Sequence, residues 1–317
     1  MIDTRRVEDD MTSMMSQGHL RAVHDHVYTR IPLLHWLGKK GRKTVVFDGE
    51  KRTTETLPVT KSSDLVLPVS PSAKPHLIAE FPHKSVCGAI TVNITEYLQY
   101  PTYLKMLIDN KVNKLKVAMC NTLGAMLFGD GTGNKGKDIM GLAGIVADDP
   151  TTGSLGGIDR STNPWWRNET LEGGKLGAPF DTLLRKMTRM YDACSEGSDH
   201  PDLIICDQAT YEAYEGLTPT YGRFVDADMA RAGFENLKFK GAVVVFDPAC
   251  PSDANHGKMY FLNSKYLSWT VDTEANFAMT LFKLYGFTHF VSKVLLIGNL
   301  ITSNCAKHGV IYDIDLK

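Results

Sequence analysis

The run Gly131-Thr132-Gly133-Asn134-Lys135-Gly136-Lys137-Asp138 comes within one residue of a phosphate-binding loop. Such a loop cradles phosphates in backbone N–H groups, brings a lysine to them, and then needs a Ser or Thr hydroxyl to hold magnesium. Asp138 occupies the hydroxyl position and adds negative charge where phosphates would sit. The run also follows a helical pattern, whereas a phosphate-binding loop joins a strand to the helix after it. A P-loop nucleotide hydrolase is therefore kept only as an alternative to a non-catalytic reading. His24-Asp25-His26 offers two imidazoles to a metal, yet no third ligand is identifiable, so a solvated pair is expected. Cys250 and His256 have no second Cys-His pair and follow the turn dipeptide Asp247-Pro248. No GxSxG elbow, HExxH helix or GxGxxG strand-turn-helix occurs.

The remaining candidates have ordinary structural accounts. Lys39-Lys40-Gly41-Arg42-Lys43 is a charged junction ahead of a hairpin, with phosphate contact as its alternative. Trp165-Trp166 reads as a packing anchor where a loop joins the core, with ligand stacking as its alternative. Asp9-Asp10 and Asp148-Asp149 lie in polar, turn-rich stretches, and Asn93 and Asn168 head sequons with nothing to suggest a secretory route. The six cysteines, at 87, 120, 194, 206, 250 and 305, contain no CxxC pair and read as buried, reduced thiols. The expectation is no catalytic residue, no cofactor and no metal site.

These residues sit in a chain of 317, long enough for more than one subdomain. A hydrophobic content of 43% and a charged content of 22% are those of a globular protein. The net charge of -1 argues against a high-affinity nucleic-acid binder. The longest runs free of Asp, Glu, Lys and Arg are Val117–Gly129 and Val294–Ala306. Both are shorter than the roughly 20 apolar residues that cross a bilayer, so no membrane is expected. Charges at Asp3, Arg5, Arg6, Glu8, Asp9 and Asp10 exclude a signal peptide, and synthesis in a cytoplasm is expected.

Residues 1–40 read as an arm rather than a core, with short amphipathic pieces around Met11–Val27 and Leu33–Leu37 parted by Pro32. Thr44–Phe47 runs into the hairpin dipeptide Asp48-Gly49, and five of the 14 prolines then fall between Pro58 and Pro82. This stretch should be extended and poorly self-packed, with Ser85–Ile94 as its returning strand. Leu104, Ile108, Val112, Leu115, Met119, Leu123 and Met126 then recur at helical spacing, predicting a long spine helix over 101–128 that Gly129 stops. A glycine-rich loop region follows. After it come a helix around Phe180–Cys194, a buried strand 202–206, and a helix Gln208–Leu217 capped by Asp207. Strands are predicted at Ala242–Phe246, Met259–Asn263, Leu267–Val271, Phe277–Leu281 and Val294–Ile301.

This order of arm, ribbon, isolated spine, glycine-rich loops, small α/β unit and closing strands resembles the major capsid protein of tailed bacteriophages, the Hong Kong 97-type fold. The resemblance is carried by GDGTGNKGKDIMGLAGIVADDPTTGSLGGIDRSTNPWWRN (129–168), DLIICDQATYEAYEGL (202–217), AGFENLKFKGAVVVFDPACP (232–251) and MYFLNSKYL (259–267). It implies an α+β fold with an N-terminal arm over 1–40 and an extended loop over 41–92. It implies a peripheral domain over 93–130 and 256–292 and an axial domain over 131–255 and 293–317. The implied role is a shell subunit that forms hexamers and pentamers of an icosahedral head around double-stranded DNA. The implied partners are further copies of the chain, a portal protein, possible separate scaffold and decoration proteins, and DNA contacted without sequence preference. Because the chain starts at the arm, a separate scaffold or none is expected. Lys61, Lys74 and Lys84 lie in the ribbon without a matching isopeptide crosslinking motif. An encapsulin-like compartment shell is the alternative on the same fold.

Overall fold

Apolar residues spaced at 3.6 and at 2.0 decide which faces of the elements are buried. The structure, a computed structural model, describes residues 4–14, 17–40, 54–58, 78–99, 103–175, 183–217, 224–252, 256–286 and 288–316. Three helices open the chain: α1 (Thr4–Met14), α2 (Gln17–Arg30) and α3 (Pro32–Lys40). Strands β1 (Thr54–Pro58) and β2 (Ile78–Pro82) pair with each other antiparallel in a two-stranded sheet. Next come β3 (Lys84–Asn93), the short α4 (Ile94–Gln99) and the spine α5 (Leu104–Phe128). The loop region holds the single turns α6 (Gly133–Gly136) and α7 (Leu142–Ile145) and the small hairpin β4 (Ser154–Leu155) and β5 (Ile158–Asp159).

The second half supplies β6 (Glu169–Lys175), α8 (Leu183–Ala193), β7 (Leu203–Cys206), α9 (Gln208–Leu217) and α10 (Ala227–Arg231). It continues with β8 (Asn236–Phe239), β9 (Ala242–Phe246), β10 (His256–Leu262), β11 (Leu267–Met279), β12 (Lys283–Tyr285), β13 (His289–Thr302) and β14 (Gly309–Asp315). A six-stranded mixed sheet runs β6-β14-β10-β7-β9-β8. One of its faces, with α8 and α9 packed on it, forms a separate apolar cluster; the other joins the main core. The alternation is visible within β7, where Ile204 and Cys206 face the helices while Leu203 and Ile205 face the main core.

The second sheet is built on β13, which pairs with β3 on one edge and with β11 and β12 on the other. The sequence places Ser85–Ile94 in the ribbon. The structure instead pairs this strand with β13 of the same chain over ten residues, so it needs no second subunit. The strand pairs across positions 84–93 and 289–298, so a same-chain partner was available despite the sequence separation. Hydrogen bonds to β7 and β14 likewise group residues 256–262 with the α/β unit, while 293–302 pair in the sheet of β3 and β11.

The spine lies on β3. Leu104, Ile108, Val112, Leu115, Met119 and Leu123 are all buried and Asn110, Asn113 and Lys114 face outward, as the spacing predicts, while Asp109, expected on that outward side, is half-buried against His19 of α2. Contact with the sheet is close enough that a Cβ on Gly88 would run into Leu115 Cδ1. The first forty residues correct the arm expectation. Val7, Met11, Val23, Val27, Leu33, Leu34 and Trp36 are buried in the main core, with α2 against the spine and α3 against β11. The reason is that α1, α2 and α3 are short amphipathic pieces, each of which turns its one apolar face inward.

Truncating Ile108 to Ala should lower subunit stability by about 2–5 kcal/mol, while Asn110→Ala should stay within about 0.5 kcal/mol. Urea unfolding midpoints of the two variants check the assignment of the buried face.

Candidate functional site

The near-phosphate loop is an exposed turn at the spine's end. Asn134 and Lys135 adopt left-handed angles, and Gly136 and Asp138 donate their N–H groups back to Thr132 and Gly133. No helix of useful length follows to aim free N–H groups at a phosphate, and Lys137 is exposed. Lys84 of the ribbon root donates instead to the Gly136 carbonyl.

His24 Nδ1 donates to the Asp25 carboxylate at 3.0 Å, and the ring packs on Tyr28, with ring centroids 4.4 Å apart. His26 lies on the opposite side of α2, against the spine, and burial lowers its pKa. Among the described residues no group of three His, Cys, Asp or Glu side chains could hold a metal. Trp166 is fully buried and donates to the Leu155 carbonyl at 3.0 Å, the anchor its context suggests. Asn168 is buried too, exchanging hydrogen bonds with the Ala147 backbone at 3.0 and 2.9 Å. Cys194, Cys206, Cys250 and Cys305 are buried free thiols; Cys87 is exposed and Cys120 half-buried. Arg42, Lys43, Lys61, Lys74 and the Asp48-Gly49 turn fall outside the described residues.

The arrangement with functional content is the root of the ribbon. Ala79 and Phe81 of β2 are fully buried, and Glu80 donates its N–H to the Gly156 carbonyl at 2.9 Å. Gly156 takes φ +60° and passes so near that an added Cβ would stand 3.0 Å from Ala79 Cβ. Asn299 of β13, with no solvent exposure, joins three segments. Its Nδ2 donates to the Pro82 carbonyl at 2.8 Å, and its Oδ1 accepts the N–H of Met140 at 2.8 Å and of Leu300 at 3.0 Å. Asp207 caps α9 as the sequence indicates, accepting from the Thr210 N–H at 3.1 Å, and also takes the Lys258 N–H at 2.8 Å. Sequence reasoning missed Asn299 and Asn168. The available signal was a lone amide inside or beside an otherwise apolar run, a polar group that must find partners when buried.

His308 is wholly buried. Its Nδ1 accepts the Asn263 N–H at 3.3 Å, leaving the ring proton on Nε2 to meet Thr302 Oγ1 at 3.1 Å. Burial pushes its pKa down to about 3.

No protein-family model matches the sequence, nor does any curated protein. The fold, however, is similar to solved shells. One is the capsid asymmetric unit of cyanophage A-1(L), with a TM-score of 0.65 at 18% identity, covering 90% of this chain and 93% of that one. The holo-SrpI encapsulin complex of Synechococcus elongatus gives 0.56 at 10% identity, covering 89% and 88%. A virus-like particle of Pyrococcus furiosus gives 0.55 at 12% identity, covering 93% and 98%. The chain therefore has the Hong Kong 97-type α+β fold of tailed-phage capsid subunits, and the encapsulin and the virus-like particle are similar to it in fold.

Two outcomes test the site. Asn299→Leu strands the Met140 N–H and frees Pro82, so stability should fall by about 2–4 kcal/mol and deuterium uptake over 78–82 should rise. His308 favours its neutral form in the fold, so below pH about 6.5 only the unfolded chain gains that proton. Stability should fall between pH 6.5 and about 3, by up to about 1.4 kcal/mol per unit, and His308→Gln should flatten that slope in chemical denaturation.

Proposed function

We propose that this chain is the major capsid protein of a tailed phage or prophage, a structural, non-catalytic subunit whose copies close into an icosahedral head around double-stranded DNA. The observation that carries the reading is the near full-length likeness to the cyanophage capsid subunit. The β1–β2 pair adds to it. Two five-residue strands cannot hold together alone in water, and among the described residues this pair is hydrogen-bonded to no other strand. A strand pair rooted in its own core and joined to no further strand among the described residues suits a limb laid over a neighbour. Obligate interfaces of about 2,000–5,000 Å² per contact would complete it, and point symmetry would close the contacts.

In this reading residues 1–40 are the arm, folded back on its own spine, and 41–83 the extended loop. Residues 84–130 with 263–302 form the peripheral domain, and 131–262 with 303–316 the axial domain, boundaries moved to follow strand pairing. A portal, a separate scaffold and decoration proteins are the further partners this role implies, with the virion as its location and assembly in a host cytoplasm. An encapsulin-like compartment is the second reading, favoured by the likeness to the Synechococcus encapsulin.

Electron microscopy of the purified protein should show capsomers or closed shells; a strictly monomeric species under every assembly condition overturns both readings. Particles recovered from producing cells should hold DNA, and a protein cargo without DNA would favour the compartment.

A further inference from the structure

Strands β7 and β9 run parallel with Cys206 opposite Phe246, so each delivers an aspartate, Asp207 and Asp247, to the same end of the six-stranded sheet. The Asp247 N–H donates to the Cys206 carbonyl at 3.0 Å, which holds the two strand ends side by side. Beyond such carboxyl ends an α/β sheet opens a crevice between its loops. Here the crevice has a volume of about 450 Å³ and is lined by Asp207, Gln208, Glu212, Asp247, Cys250 and Ser252. No described lysine, arginine or histidine lines it.

Two of its acids are buried, Asp207 at 3% exposure and Asp247 at 5%. Asp207 accepts the Thr210 N–H, the Thr210 hydroxyl and the Lys258 N–H, which leaves about one of its four acceptor positions open. Asp247 is less well served. Its Oδ1 accepts the Ala249 N–H at 2.9 Å, while Oδ2 is buried and meets no donor among the described residues. The Lys258 ammonium goes elsewhere, to Asp148 at 2.6 Å. A buried carboxylate without a partner is costly, and a cation removes that cost. Burial, then the nearby charges of Asp207 and Asp247, hold the Cys250 thiol well above its usual pKa. It therefore stays protonated and offers no soft thiolate, so the donors of the crevice are hard oxygens. The N-terminus of α9 borders the same space, yet Asp207 caps it and three lining carboxylates repel an anion.

We propose that Asp207 and Asp247 hold a hydrated magnesium ion that ties the start of α9 to the loop after β9. Magnesium keeps several waters and is commonly held by one or two carboxylates. That suits a crevice where, among the described residues, no group of three acids, histidines or cysteines makes a cage. Four retained waters take about 120 Å³, well within the space present. An ion that binds the folded chain alone stabilises it, so the loop 247–252 becomes firmer as magnesium rises. The inference concerns a single subunit and does not depend on the container reading.

The test is isothermal titration calorimetry of the purified protein with magnesium chloride at constant ionic strength. One site per chain is expected, with a Kd on the order of 0.1–1 mM, the weak range of a site with few charged ligands. Asp247→Asn preserves the side chain's shape and should weaken binding at least about tenfold. Asp192→Asn, which removes only the exposed pair with Lys240, should leave binding unchanged. Hydrogen–deuterium exchange of the wild type gives a second reading in case Asp247→Asn fails to fold. Magnesium should slow exchange over 207–212 and 246–252, and potassium at equal ionic strength should not. Absence of magnesium binding by the wild type overturns the proposal. Equal affinity in wild type and Asp247→Asn overturns it too, as does equal slowing by potassium.

Discussion

A buried carboxamide holds the ribbon to the body. Asn299 lies at the centre of three chain segments, and its two polar atoms serve the ribbon root, the spine's exit loop and its own strand at once. Water cannot substitute for any of them at a site with no solvent exposure, so the three segments keep one relative position or lose hydrogen bonds together. The fully buried Phe81 and Ala79 add an apolar anchor next to it. A limb that projects for assembly needs this kind of rigid origin, because an angular error at the root grows with distance along the limb.

Around that origin the chain builds a platform in layers. The spine seats on β3 closely enough that a Cβ at position 88 would push on the Leu115 side chain, and α2 lies beside the spine, held by His19–Asp109 and by the Tyr28 hydroxyl accepting from Trp269 Nε1 at 2.9 Å. Farther along, Trp36 donates to Asp202 Oδ2 at 3.2 Å, tying α3 to the start of β7 inside the six-stranded sheet. The helices of the first forty residues thus stitch both sheets together. Polar contacts do this where two apolar faces alone would slide, since hydrogen bonds are directional and dispersion is not.

Much of this was legible in the sequence. The spine's spacing named six residues that are buried, because a helix on a sheet can only bury one stripe; the seventh, Met126, is half-buried near the helix end. Buried strands such as β7 and β9 were found at their places because four or five consecutive β-branched or apolar residues between turns have few other uses. The arm was misjudged, since its amphipathic pieces show a buried face without showing whose surface buries it. The pairing of β3 with β13 was hidden for a related reason: register across two hundred residues is set by which faces meet, not by either strand's own composition. Asn299 was overlooked inside Val294–Ile301, where one amide does not disturb an apolar pattern and only its need for buried partners marks it.

The central claim is that the limb rooted at Asn299 is completed only by neighbouring copies. Hydrogen–deuterium exchange on peptides covering 41–82, compared between dissociated subunits and assembled particles, measures it directly. The account predicts that amides of this segment become protected on assembly while those of the spine, 104–128, stay protected in both states. Equal protection of 41–82 before and after assembly would mean that the subunit covers its own limb, and the account would be wrong.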